Sequence, residues 1–201
     1  MDYGDIDEVR VITGLTDDDI TDEDMAVLLS YARRRFFNDV LVKAPRELIT
    51  PIDSTRKVYQ LEHYPVGSVE NGTAPTGDDV LVETMNTSPS WDMWGTIAVE
   101  AVDAAHGLIK LTEAPPAGVY VFATYHYFPV ELNRRDIDDA VNFMAAHLAT
   151  LRLEDPATIS INDLVNNALV YKENKPTRFL DAYKAKVDAM TGGLVFGAVI
   201  L

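Results

Sequence analysis

The sequence predicts an α+β chain, with a helical core drawn from its two ends and an antiparallel β subdomain inserted between them. Three observations predict it. Apolar residues recur at helical spacing near the start of the chain and again after Asn133. From about Lys57 onward, short β-prone runs alternate with turn residues. In between, GVYVFATYHYFPVELNRRDIDDAVNFMAAHLATLRL, residues 118–153, joins an aromatic strand to a long amphipathic helix through a short link.

Taken in order, residues 1–20 read as a short helix and a turn, with Gly14 as the C-terminal stop before an acidic run. Thr21 is a good N-cap for a stronger helix. Asp22, Glu23 and Asp24 fall where the helix dipole favours negative charge, and Met25, Leu28, Leu29, Ala32 and Phe36 make one face. This helix should end near Val40 to Ala44, before Pro45. The runs KVYQLEHYPV, DVLVETM, TIAVEAV, LIKL and VYVFATYHY then have the rhythm of a small antiparallel sheet or barrel. Asn71-Gly72, Gly77-Asp78, His106-Gly107 and Pro115-Pro116-Ala117-Gly118 punctuate them, the last predicting a hairpin between LIKL and the aromatic strand.

Within that strand Val119, Val121, Ala123, Tyr125 and Tyr127 share one face, and Tyr120, Phe122, Thr124 and His126 the other, so both faces have something to cover. Pro129 ends the ladder and Asn133 caps a helix whose buried face is Ile137, Val141, Met144, Leu148 and Leu151. A middle helix is expected over residues 161–171 and a last one over 177–190, with Phe179, Tyr183, Val187 and Met190 as its stripe. The expected organisation is therefore a helical core of residues 1–56 and 129–191, a β subdomain of residues 57–128, and a C-terminal arm of residues 192–201.

Composition limits the chemistry. With no cysteine, disulfides, thiolate metal sites and a cysteine nucleophile are excluded. The acidic start MDYGDIDEV does not resemble a signal peptide and no apolar run is long enough to span a bilayer, so a soluble protein with no membrane partner is expected. A net charge of -15 repels phosphate backbones. Asp outnumbers Glu 21 to 11 and Arg outnumbers Lys 10 to 7. That tilt towards short, strongly hydrated carboxylates suggests adaptation to high salt, where self-repulsion is screened within about 3 Å at 1 M.

Enzyme signatures are thin. The four histidines share no metal-ligand spacing, the Asp17 to Asp24 cluster fails the calcium-loop pattern, and no phosphate-binding glycine string or nucleophile elbow is present. No catalytic residue, metal or cofactor is therefore assigned. The features left over point to contacts. Arg33, Arg34 and Arg35 lie in helical sequence beside many carboxylates, which favours ion pairing within or between subunits over phosphate binding. Trp91 and Trp94, in a polar loop, suggest a contact patch or a lid over a ligand pocket. The uncharged tail, with Leu194, Val195, Phe196, Ala198, Val199, Ile200 and Leu201, is an aggregation hazard unless its own core, a neighbouring copy or a partner covers it.

Three passages, VITGLTDDDITDEDMAVLLSYARRRF, LEHYPVGSVENG and GLIKLTEAPPAGVYVFATYHYFPVELNRRDIDDAVNFMAAHLATLRL, give the chain an order that resembles the head-tail connector (adaptor) proteins of tailed viruses. The resemblance covers about three quarters of the chain and rests on pattern rather than an invariant motif. It implies a structural virion protein and not an enzyme: a mainly helical protomer in a ring matching the portal's twelvefold symmetry. That ring would sit in the neck of the virion after assembly in the host cytoplasm. Its partners would be the portal protein, neighbouring copies and the next tail-side protein, with DNA passing through the lumen without specific binding. The tail from Leu194 to Leu201 would dock on the portal, and Arg33 to Arg35, Trp91 and Trp94 would serve inter-subunit contacts. The large β insertion departs from the family's compact members, and the Asp-rich surface fits a virus of a salt-loving, archaeal host. A stopper or tail-terminator ring, and a small ligand-binding domain, are the alternative readings.

Overall fold

The structure, a computed structural model, describes residues 3–50, 52–86, 94–154 and 178–192. They form a mixed α+β protein of two compact units, one of residues 41–131 and one of the chain before and after it. The predicted middle helix over residues 161–171 lies outside the described residues.

The helical unit is built from strong local signals. Helix α1, Ile6–Thr13, starts where the Asp5 side chain accepts from the Glu8 N–H at 3.1 Å and stops at Gly14, whose φ of 77° suits a residue without Cβ. Helix α2, Asp22–Val40, is capped by the Thr21 hydroxyl, which accepts from the Asp24 N–H at 3.2 Å. Helix α3, Arg134–Glu154, is capped by Asn133, which accepts from the Arg135 N–H at 3.0 Å. Helix α4 is Arg178–Thr191.

Among the described residues, helix α3 packs against α1, α2 and α4. Ile137, Val141, Met144, Leu148 and Leu151 are all buried, and so are Ala140, Ala145, Ala146 and Ala149. A single buried face was the expectation from periodicity; the helix is instead covered around most of its girth. The alanines, silent in an apolar-stripe count, leave room for neighbouring backbones to approach.

A buried polar tie fixes α4 to α2. The Tyr183 hydroxyl donates to Asp39 Oδ2 at 2.7 Å, and Arg35 Nε donates to the same oxygen at 2.9 Å. Burial pushes the Asp39 carboxyl above its usual value, opposed by Arg35 and by the Tyr183 bond. Burial and the neighbouring Asp39 push the Tyr183 phenol well up, so it remains the donor. At the unit's surface, Lys186 on α4 pairs with Asp136 at 2.8 Å and Asp139 at 2.9 Å on α3.

Among the described residues, the β unit holds two sheets. Strands β1 (Val42–Leu48), β8 (Val119–Tyr127), β4 (Leu81–Asn86) and β5 (Trp94–Ile97) lie in that order, with β3 (Val66–Gly67) also paired to β8. Strands β2 (Val58–Gln60), β7 (Leu108–Leu111) and β6 (Val99–Asp103) form the second sheet. All pairings are antiparallel. A common core joins the sheets: Val82, Val121, Ala123 and Tyr125 from the first meet Tyr59, Ile109 and Leu111 from the second. Tyr125 also makes a polar joint, since its hydroxyl donates to Glu47 of β1 and accepts from the His63 N–H at 3.0 Å.

Three sequence expectations change. The β unit begins near Leu41 rather than Lys57, because β1 (VKAPREL) adds an edge strand that Pro45 and its charges disguise. Strands β7 and β8 do not form a hairpin: β7 pairs with β2 and β6, β8 with β1, β3 and β4, so the Pro115 to Gly118 run carries the chain from one sheet to the other. Trp94 opens strand β5 opposite Met85 instead of lying in a loop.

Candidate interaction surfaces

The face of the five-stranded sheet turned away from the core follows from the period of two along each strand. On β8 the residues Val121, Ala123 and Tyr125 are buried, which turns Tyr120, Phe122, Thr124 and His126 outward. The register places Leu48 of β1 beside Phe122, and Leu81, Glu83 and Met85 of β4 beside Thr124, Phe122 and Tyr120. Trp94 of β5 lies beside Met85. The result is a broad aromatic and aliphatic face in which Leu81 is 49% exposed, Trp94 and Tyr120 47% each, and Leu48 46%. Surface apolar residues scattered singly need no explanation; a patch aligned across four strands does.

Arg46 organises this face. A register shift between Ala44 and Glu47 bulges β1, and Arg46 sits in the bulge with a φ of 49°, its N–H donating to the Thr124 hydroxyl at 3.1 Å. Its guanidinium grips Glu83 through two bonds, at 3.0 and 3.2 Å, and lies 4.6 Å from the centre of the Trp94 ring. Trp94 in turn packs on Phe122, with ring centroids 5.9 Å apart. The indole is thus held rigidly while half its surface faces outward, as an interface anchor requires. His126, at the other end of the face and paired with Lys43, has its imidazole pushed below the usual value by burial and by that lysine.

The three arginines of α2 divide. Arg35 is committed to Asp39 inside the unit, Arg33 donates from Nε to the Tyr3 carbonyl, and the Arg34 side chain is exposed. Arg33 therefore helps to seat the N-terminal peptide. Tyr3 is buried with its ring edge-on to Phe37 at 5.6 Å, Gly4 N–H donates to Asp138 at 3.0 Å and Asp5 N–H to Asn142 at 2.9 Å. Asn142 completes the clasp by donating to Glu8 at 2.5 Å. Beside it, an open depression of about 880 Å³ is lined by Asp5, Glu8, Arg134, Arg135 and Asp138 among others. The Asp17 to Asp24 cluster is also knit internally, Arg10 bridging Asp17 at 2.5 Å and Asp22 at 2.7 Å.

Of the sequence-predicted contact residues, Trp94 lies on the open sheet face, Arg33 and Arg35 serve the helical unit itself, and Trp91 and residues 194–201 lie outside the described residues. Leu48, Leu81 and Arg46 went unnoticed in the sequence, because only the strand register brings them beside Trp94 and Tyr120. The second face of β8 was the one available signal.

Taken together, these features describe an α+β protein that carries, among its described residues, an exposed apolar face on an inserted antiparallel sheet. Comparison with protein-family models, with curated proteins and with solved structures finds no match.

Proposed function

We propose that this chain is a structural virion protein, a head-tail connector that forms a ring below the portal and joins the DNA-filled head to the tail. The observation that carries the proposal is the sheet face built from Leu48, Leu81, Trp94 and Tyr120, an apolar patch whose residues are each about half exposed. A ring of identical copies supplies a cover for it through a heterologous contact repeated until it closes. The charge balance supports the same reading. At -15, with Arg10, Arg33, Arg35 and Arg134 engaged by the chain's own oxygens, the protein is suited to let DNA pass without gripping it. In this proposal the uncharged tail from Leu194 to Leu201 docks on the portal protein, and the copy number follows the portal's twelvefold symmetry.

The test is a reconstruction of the portal vertex in particles kept in molar salt. Twelvefold density for this chain between portal and tail, with the last residues reaching the portal, is the expected result. Density elsewhere, or normal particles after deletion of residues 194–201, would count against the connector and its docking arm respectively.

A further inference from the structure

We infer that Glu47, Glu62 and His63 form a binding site for a divalent transition-metal ion of the Zn²⁺ class. Their ligand atoms, two carboxylate oxygens and an imidazole nitrogen, all lie within 4.8 Å of one another. Glu47 comes from β1 and the adjacent pair Glu62 and His63 from the segment between β2 and β3, so the set is assembled by the fold and not by a local motif.

The backbone and the supporting side chains hold this arrangement together. Glu62 N–H donates to Glu47 Oε1 at 2.6 Å, and the Tyr125 hydroxyl donates to the other Glu47 oxygen. Each carboxylate oxygen has two lone pairs, so these bonds orient Glu47 and still leave acceptor capacity for an ion. His63 is fixed from two directions: its N–H donates to the Tyr125 hydroxyl at 3.0 Å, and its ring stacks on Tyr127 with centroids 4.6 Å apart and planes 15° from parallel. Glu62 is exposed, so rotation of its side chain brings its carboxylate towards an ion held by Glu47 and His63, at the usual ligand distances of about 2.0–2.2 Å.

Charge supplies the second argument. Elsewhere in this unit Glu83 pairs with Arg46 and Glu100 with Lys110, whereas neither Glu47 nor Glu62 has an ion pair among the described residues. Two carboxylates converge with no cation between them, on a chain of net charge -15. A divalent ion provides that missing charge. The imidazole decides which kind. Ca²⁺ and Mg²⁺ select oxygen donors and higher coordination, while a nitrogen with two carboxylates suits Zn²⁺ and its neighbours, three protein ligands leaving a fourth position to water. Bound there, the ion clips the segment that links the two sheets onto β1. The site does not depend on the connector reading.

The experiment is a calorimetric titration of ZnCl₂ into the full chain, stripped with a chelator and held in excess Mg²⁺ so that diffuse binding to the acidic surface is saturated. Parallel titrations use Glu62→Gln and His63→Phe, the second keeping an aromatic ring against Tyr127, and Asp17→Asn/Asp18→Asn as an acidic control in the helical unit. One equivalent of Zn²⁺ per chain is expected, with affinity lowered at least about tenfold in each ligand variant and unchanged in the control. Co²⁺ in place of Zn²⁺ should give the visible absorption of a low-coordinate nitrogen and oxygen site, which disappears in His63→Phe. Displacement of Zn²⁺ by Mg²⁺, or equal affinity in the wild type and both ligand variants, overturns the inference. Circular dichroism of each variant establishes that the β unit is folded before its affinity is compared.

Discussion

Replacing Tyr183 with Phe removes one oxygen and leaves the ring in place, which isolates the tie between α4 and α2. The hydroxyl donates to Asp39 Oδ2 at 2.7 Å, and Asp39 is only 9% exposed, so water cannot substitute for it without rearrangement. A hydrogen bond to a charged group contributes about 1.5–3 kcal/mol, and Arg35 remains as a partner for the same oxygen, which places the expected loss towards the lower figure, about 1.5–2 kcal/mol at pH 7.5. The pH dependence provides an internal check. Burial holds the folded carboxyl above its unfolded value, so the ionised form costs stability at neutral pH, and this cost is relieved as pH falls through the folded value towards about 3.9. Without the Tyr183 bond, which lowers that value, the folded carboxyl titrates at higher pH still. The deficit of the variant should therefore shrink on acidification. Urea unfolding at pH 7.5 and pH 5, followed by helix ellipticity at fixed salt, measures both quantities. An unchanged midpoint at pH 7.5, or a deficit that grows on acidification, would refute the assignment of Asp39 as a buried carboxylate held by Tyr183.

Other substitutions probe separate parts of the argument. Gly4 has a φ of 77° and a Cβ there would meet Leu29 and Val141 at 2.8 Å, so Gly4→Ala should cost roughly 2–4 kcal/mol from strain and crowding together, while Gly14→Ala, with the same φ and open space around it, should cost about 1–2 kcal/mol in the same denaturation assay. Trp94→Ser combined with Tyr120→Ser should leave the circular dichroism spectrum native and abolish concentration-dependent assembly in light scattering; a variant that still assembles would show that the sheet face is not the contact. His126 carries a folded value pushed below its unfolded one, so it contributes stability above about pH 6.5 that is lost as pH falls. In His126→Gln the fall in β-unit stability between pH 7 and pH 5.5 should flatten, as read by tryptophan fluorescence during denaturation.

What could be read in the sequence was what local chemistry decides. Thr21, Asn133 and Gly14 act within one turn of the residues they cap, so the starts of α2 and α3 and the end of α1 are visible in a few consecutive letters. The alternation along β8 is equally local, and it separated the core face from the outer one. Strand β1 escaped because Pro45 and the charged residues of VKAPREL argue against a strand unless the strand lies on an edge, and edges are set by partners far along the chain. The same holds for the Pro115 to Gly118 run: a turn was legible there, but whether the following strand folds back or crosses to another sheet depends on β1 and β4. Trp94 could be singled out by size alone, whereas Arg46, Leu48 and Leu81 acquire meaning only through register. Glu47 reaches Glu62 and His63 in the same way, through the pairing of β1 with β8 and the Tyr125 hydroxyl, which no spacing rule contains.

The two ways in which this sheet could meet another chain are treated differently by its sequence. At the β1 edge, Pro45 offers no donor, the bulge between Ala44 and Glu47 breaks the ladder, and Arg46 turns its N–H inward to Thr124. Each of these features discourages an incoming strand. On the outer face, Arg46, the cation nearest Leu48, Leu81, Trp94 and Tyr120 among the described residues, is drawn down by Glu83 and lies against the indole, while Lys43 stands at the far end beside His126. A sheet under selection only to stay monomeric would be expected to place free charge across such a face. A blunted edge beside an open face instead favours association by side-chain packing over backbone pairing. For the proposed ring this separates the two contacts physically: copies meet through the sheet face, and the uncharged tail, if it pairs as a strand, finds its edge on the portal and not on the β1 edge of a neighbouring copy.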